Sequence, residues 1–225
     1  MQRQATRYLE IITGLFVAVV IISNIASTKI LLLGPFTFDG GTLLFPISYI
    51  FGDILTEVYG YKASRRVIWT AFLCCLGLSG VLWIVGLLPP AADWPYQQAY
   101  RNILMTTPRI ALASLIAFSA GEFSNSYIMA KMKIWTQGRF LWTRTIGSTI
   151  VGEGVDTALF CIIAFVGSIS GSLLGAVILS NYIFKVGVEV LATPATYRIV
   201  GFLKKREELD TYDTQTRFNP FSLQS

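Results

Sequence analysis

Apolar residues run along this chain in long blocks. The first is LEIITGLFVAVVIISNIASTKILLL, starting at residue 9. A bilayer-crossing helix needs about 20 mostly apolar residues, and the chain supplies such windows repeatedly. They lie at about 9–33, 43–60, 67–88, 109–130, 144–167 and 172–200. The pattern predicts an all-α polytopic membrane protein with six transmembrane helices in one domain over 1–206. A polar, flexible tail is expected over 207–225. The second stretch is short and interrupted by Pro46 and Gly52, so a tilted, broken or re-entrant segment is open there.

Composition sharpens this picture. Of 225 residues, 53% are apolar and 14% charged, against about a quarter charged in an ordinary soluble domain. Lys and Arg concentrate in the N-terminus, in the 61–66 and 131–144 connections, and in the tail; the other side holds Arg101 and Arg109. Positive charge marks the cytoplasmic face, so both termini are predicted there. The net charge of +5 is thus mostly topology and not a nucleic-acid footprint. The first apolar run is longer than a signal-peptide core and lacks an A-x-A site, which predicts a retained helix. Trp94, Tyr96 and Tyr100, in the proline-rich connection 88–108, suit a headgroup boundary.

Several chemistries drop out. The chain has no His, which removes Ser-His and Cys-His nucleophile pairs and His-ligated metals. Cys74, Cys75 and Cys161 lie in apolar runs without CxxC spacing and read as small buried hydrophobes. No Walker A or GxGxxG pattern appears. No cofactor and no metal is expected.

The two halves echo each other. Ser23-Asn24 followed by Lys29 matches Ser124-Asn125 followed by Lys131, and Ile50-Phe51-Gly52-Asp53 matches Ile150-Val151-Gly152-Glu153. Two three-span halves would be inverted relative to each other, a recurring transporter plan with the substrate site near the midplane. Chance similarity between apolar segments is the competing explanation.

Charge inside the spans carries the chemistry. Asp53, Glu57, Glu122, Glu153, Asp156 and Glu189 lie there, with Lys29 and Lys185. A charge at mid-bilayer costs at least ~3 kcal/mol, so these residues are expected to face one another, a polar ligand or a wet cavity. Helical spacing places Tyr49, Asp53 and Glu57 on one face, Glu122 and Asn125 on another, then Glu153 and Asp156, then Asn181, Lys185 and Glu189. Bland readings stand beside these. Lys185 and Glu189 are spaced to pair with each other. Lys29 can snorkel to headgroups, Glu57 can meet Arg65 or Arg66, and Asn24 and Asn125 can serve as interhelical glue. The acids outnumber the lysines, so not all can stay ionised in a closed cavity, and proton coupling is open. Tyr49, Phe118, Tyr127, Phe160 and Tyr182 offer stacking faces.

FPISYIFGDILTEVYGYKASRR at 45–66, GEFSNSYIMAKMKIWTQGRFLWTRTIGSTIVGEGVDTALF at 121–160 and NYIFKVGVEVLATP at 181–194 resemble signatures of the queuosine-precursor transporter family, also called the vitamin uptake transporter family. The resemblance implies a six-helix protein of the bacterial inner membrane. Its expected cargo is 7-cyano-7-deazaguanine, 7-aminomethyl-7-deazaguanine or queuine, precursors of a modified tRNA nucleoside. A guanine-like edge presents N–H and NH₂ donors that a carboxylate accepts. Candidate substrate-binding residues are therefore Asn24, Tyr49, Asp53, Glu122, Asn125, Glu153, Asp156, Lys185 and Glu189. Asp53, Glu153 or Asp156 is expected to take the edge, and Asn24, Asn125 or Lys185 the ring carbonyl. One alternative is a substrate-binding subunit of an energy-coupling-factor transporter, disfavoured because Ile22 stands where an AxxxA motif from Ala18 needs Ala. Another is an intramembrane enzyme, disfavoured because Ile50 breaks the GxGD pattern. A homo-oligomer is open, since Gly171–Gly175 has GxxxG spacing.

Overall fold

The computed structural model describes residues 7–33, 36–105, 108–165, 167 and 171–221. Seven helices and one hairpin are present among them. Helix α1 spans Leu9–Ala26, and strands β1 (Ile30–Leu33) and β2 (Phe36–Asp39) follow. Then come α2 (Phe45–Tyr59), α3 (Tyr61–Leu87), α4 (Gln97–Leu104), α5 (Pro108–Trp135), α6 (Leu141–Phe165) and α7 (Gly171–Glu207).

The first apolar block is not one helix. It stops at Ala26, and the remaining apolar residues pair antiparallel, from Ile30 with Asp39 to Leu33 with Phe36. A short apolar run reads equally as strand or helix end; pairing of the backbone with a second run decides it. Lys29, expected inside a span, lies in the turn before β1. Gly40 closes the hairpin against α1, where a Cβ would stand 2.5 Å from the Ala26 carbonyl oxygen.

Helix α2 is continuous across Gly52, because Pro46 sits in the first turn, where its missing N–H costs nothing. Its fifteen residues reach only about 22 Å, short of a hydrocarbon core of about 30 Å. It is the most enclosed helix, packed against α1, α3, α5 and α7. Burial explains its polar residues, since neighbouring helices, and not lipid, meet its sides. Helix α7 is the longest, and Pro194 lies within it. Thr193 and Thr196 donate to the Glu189 and Ala192 carbonyls beside that proline.

Leu9–Ala26, Tyr61–Leu87, Leu141–Ala164 and Val177–Glu207 are long and apolar enough to cross a membrane. The outer surface carries exposed Leu73, Val81, Ile84, Leu112, Ile162, Ile183 and Leu191. Inside, Phe16, Val20, Ile54, Leu55, Val58, Phe118 and Met129 form the core. In lipid, such a core holds by close packing, since lipid tails are as apolar as leucine. The closest crossing is between α5 and α6. A Cβ on Gly152 would stand 2.8 Å from Asn125 Cβ and 3.0 Å from the Gly121 carbonyl oxygen.

Residues 208–221, read from the sequence as a flexible tail, run back over the bundle end where α2 meets α3. Asp213 accepts from the Tyr61 N–H at 2.9 Å, Arg65 donates to the Asn219 carbonyl at 2.9 Å, and Trp69 donates to the Pro220 carbonyl at 2.8 Å. Phe218 packs against Tyr61 and Tyr127.

Candidate functional site

Two polar assemblies occupy the bundle interior. One borders a cavity of about 860 Å³ bounded by α1, α3, α5, α6, α7 and the hairpin. Helix α4 closes part of it, held to α3 by Gln97 donating to the Gly86 carbonyl and by the Tyr100 hydroxyl donating to the Leu82 carbonyl; Asn102, Ile103 and Leu104 line the space. The charged part of the wall is Asp156 and Lys185. Lys185 Nζ lies 2.6 Å from Asp156 Oδ2 and 2.9 Å from Glu153 Oε2, and 5.0 Å from the centre of the Phe45 ring. The i, i+3 spacing of Glu153 and Asp156 on α6 brings both carboxylates to one cation. The sequence left Lys185 open to a pair with Glu189; the lysine turns instead to α6.

Of the expected site residues, Asn24, Asp156 and Lys185 line the cavity. Asn24 accepts from Ser114 at 3.1 Å and donates to the Val20 carbonyl at 2.9 Å. Tyr49, Asp53, Glu122, Asn125, Glu153 and Glu189 are almost wholly buried behind this wall. Asn125 donates to Asp53 Oδ1 at 2.8 Å, and Ser148 adds a longer bond at 3.4 Å. Asp53 Oδ2 and both oxygens of Glu122 and Glu189 accept no hydrogen bond among the described residues. Glu122 leans on Gly52, where a Cβ would lie 2.6 Å from its Oε2. Tyr49 lies in the α5–α6 crossing, and a Cβ on Gly152 would reach its ring at 2.9 Å. The sequence grouped these residues as one site; the structure divides them into a wall and a buried cluster behind it.

The second assembly surrounds Glu57, which is fully buried. Arg144 grips it in a fork, Nε to Oε2 at 2.7 Å and Nη2 to Oε1 at 2.8 Å. Lys204 reaches Oε1 at 2.5 Å, and Lys133 donates to the Glu57 carbonyl at 2.6 Å. Asp210 bridges Lys133 at 2.5 Å and Lys204 at 2.9 Å. Burial opposes the charge on Asp210, but hydrogen bonds from Lys133 and Lys204 outweigh it and hold its carboxyl below the usual range. The sequence offered Arg65 or Arg66 as partners of Glu57. Arg144, Lys133 and Lys204 take that place, while Arg65 binds tail carbonyls. Sequence reading missed this cluster because its members come from four distant segments. The one available signal was the excess of cations around 131–144 and 204–206.

A bundle with an apolar outer surface, and a partly open cavity with a buried ion pair on its wall, is a helical multi-pass membrane protein able to hold a small polar molecule. The family model for vitamin uptake transporters matches residues 39–199. A Bacillus subtilis protein named "Probable queuosine precursor transporter" is 30% identical over 188 residues, 82% of each chain. The Escherichia coli "Queuosine precursor transporter" is 25% identical over 170 residues, 74% of each chain. A Haemophilus influenzae protein named as the Bacillus one is 23% identical over 166 residues, 71% of this chain and 67% of its own. No solved structure matches. The chain belongs to the vitamin uptake transporter family.

Proposed function

We propose that this chain is a six-span carrier that imports queuosine precursors of the 7-deazaguanine class across a bacterial inner membrane. The observation that carries the reading is the cavity of about 860 Å³ with Asp156 and Lys185 on its wall. That size lies within the usual range for small-molecule sites, about 300–1,000 Å³. The names of the relatives support the substrate class.

The chemistry is complementary. A guanine-like edge offers ring N–H and amino donors beside a carbonyl. Asp156 accepts from the donors and Lys185 donates to the carbonyl, with charge assisting both bonds. Phe45 and Phe160 border the same space and offer faces to a flat ring. Asn24 supplies a third polar contact. Substrate and carboxylate share Lys185, so entry of the ring loosens the α6–α7 ion pair. Asp53, Glu122, Asn125, Glu153, Glu189 and Tyr49 act behind the wall, where donor-less carboxylates cannot all be ionised and provide places for a coupled proton.

The remaining spans and the orientation follow. Helices α2 and α5 complete six spans, α2 being sheltered from lipid by its neighbours. The Lys and Arg pattern puts both termini in the cytoplasm. Helices α1–α3 and α5–α7 form inverted halves, each with an Asn and an acid in matching register.

Queuosine in tRNA tests the reading. Cells unable to make the precursor are supplied with 7-cyano-7-deazaguanine at low concentration. Expression of this chain is expected to restore queuosine; no change for any deazaguanine offered would overturn the assignment.

A further inference from the structure

The cavity and the Glu57 assembly lie at opposite ends of the bundle. Asn24, Phe45, Trp83, Ser114, Asp156 and Lys185 line the cavity from α1, α2, α3, α5, α6 and α7. Each stands in the half of its helix away from Glu57. The other helix ends gather at Glu57: α2 finishes there, α6 starts at Arg144, and α5 and α7 finish at Lys133 and Lys204. Helix α1 starts beside Glu207, which accepts from the Tyr8 N–H at 2.7 Å and from the Tyr59 hydroxyl at 3.2 Å. From Arg144 to Asp156, α6 rises about 18 Å.

Polar side chains join the two ends. A Cβ on Gly121 would meet both the Tyr49 hydroxyl and Asp156 Cβ, so Tyr49 reaches the back of the cavity wall. A Cβ on Gly152 would meet both the Tyr49 ring and Asn125. Asn125 donates to Asp53, and Ser148 donates to the same oxygen. Asp53 lies one helical turn before Glu57, and Ser148 one turn after Arg144. The Tyr49 hydroxyl, Asn125 Oδ1 and Asp53 Oδ2 are buried with no hydrogen-bond partner among the described residues. A closed core gains nothing from such groups. A route that is wetted in a second conformation needs them.

Glu57 closes this route with one charged side chain from each of α2, α5, α6 and α7. Asp210 links Lys133 to Lys204, and the tail is tied over the clamp: the Thr211 N–H donates to the Val58 carbonyl at 3.3 Å, and Lys133 donates to the Thr211 carbonyl at 2.8 Å. No member of the clamp lines the cavity. We propose that the Glu57 clamp and the tail over it are the gate at this end of the path. It is shut while the cavity takes up cargo and parts to release it, as one group of helices moves against another. The proposal rests on the chain being a carrier.

The test is access to Ser148, the first residue inside the clamp on α6. Purified full chain carrying Ser148→Cys is treated in detergent with a charged maleimide, and labelling at each cysteine is followed by mass spectrometry. Lys204→Met leaves Glu57 in the Arg144 fork and is expected to speed labelling at position 148 about tenfold, the shift from losing one charge-assisted bond. Asp210→Asn, nearer solvent, should speed it about two- to fivefold. Cys75, buried on α3 in the apolar core, reports general loosening and should stay within about twofold. Unchanged labelling at position 148 in both variants, or an equal rise at Cys75, would overturn the gate. Labelling needs no cargo, so that failure would leave the transport reading standing, whereas failure to restore queuosine would remove the cargo and the gate's role with it.

Discussion

Lys185 on α7 stands 2.6 Å from Asp156 and 2.9 Å from Glu153, both on α6, and it is the cation on the cavity wall. Removing it leaves two buried carboxylates facing each other. Lys185→Met is expected to destabilise the protein by about 3–5 kcal/mol, the usual cost of orphaning a buried charge, and to abolish uptake. Lys185→Met combined with Asp156→Asn and Glu153→Gln should recover much of the stability in thermal unfolding but not the uptake. Recovery of uptake would show that the pair serves folding alone.

The Glu57 assembly should behave in the opposite way. Glu57→Gln removes the charge that Arg144, Lys204 and Lys133 share. A loss of about 3–5 kcal/mol in stability is expected, since the cations stay buried. Ligand affinity of the folded fraction should be unchanged, because Glu57 does not line the cavity. Calorimetric titration beside thermal unfolding separates the two effects.

The tail bridge should depend on pH in one direction. Asp210 is held below the usual carboxyl range in the folded chain. Its contribution is then present above the unfolded value, about 3.9 for Asp, and is lost as pH falls through the lower folded value. It is 44% exposed, so its two ion pairs are screened by solvent and their loss is expected to cost no more than about 1 kcal/mol. Hydrogen exchange at residues 208–221 should rise as pH is lowered through this range in the native chain, after correction for intrinsic exchange. In Asp210→Asn it should already be raised above this range and show no such rise, meeting the native level at low pH. An unchanged profile in the variant would mean that Asp210 does not hold the tail.

The α5–α6 crossing should resist any added atom. Gly152→Ala puts a methyl 2.8 Å from Asn125 Cβ and 2.9 Å from the Tyr49 ring, and overpacking of this kind costs about 1–3 kcal/mol. Gly14→Ala on α1, where nothing lies within 4 Å, should be neutral or slightly stabilising. Thermal unfolding of the two variants side by side makes the comparison.

Much of this was legible in the sequence, for reasons that differ by residue. The long apolar blocks announced α1, α3, α6 and α7, because lipid-facing helices must be apolar along their length. Asp53, Glu122, Glu153, Asp156, Lys185 and Glu189 declared themselves by being charged where charge is costly. The arrangement was less legible. Spacing put Lys185 within reach of Glu189, but only tertiary packing of α6 on α7 gives it to Asp156 and Glu153. The 30–39 hairpin was hidden because Ile30–Leu33 continues an apolar run. The partners of Glu57 were hidden because Arg144, Lys133 and Lys204 reach it from across the bundle.

The most direct test of transport through the cavity is uptake of radiolabelled 7-cyano-7-deazaguanine into vesicles containing purified chain, measured for wild type and Asp156→Asn. Wild-type vesicles should take up label above protein-free vesicles and lose that uptake to excess unlabelled ligand. Asp156→Asn should cut the uptake by about tenfold or more, through loss of a charge-assisted hydrogen bond. Wild-type uptake no greater than that of protein-free vesicles, or undiminished uptake by a folded Asp156→Asn variant, would contradict transport through this site.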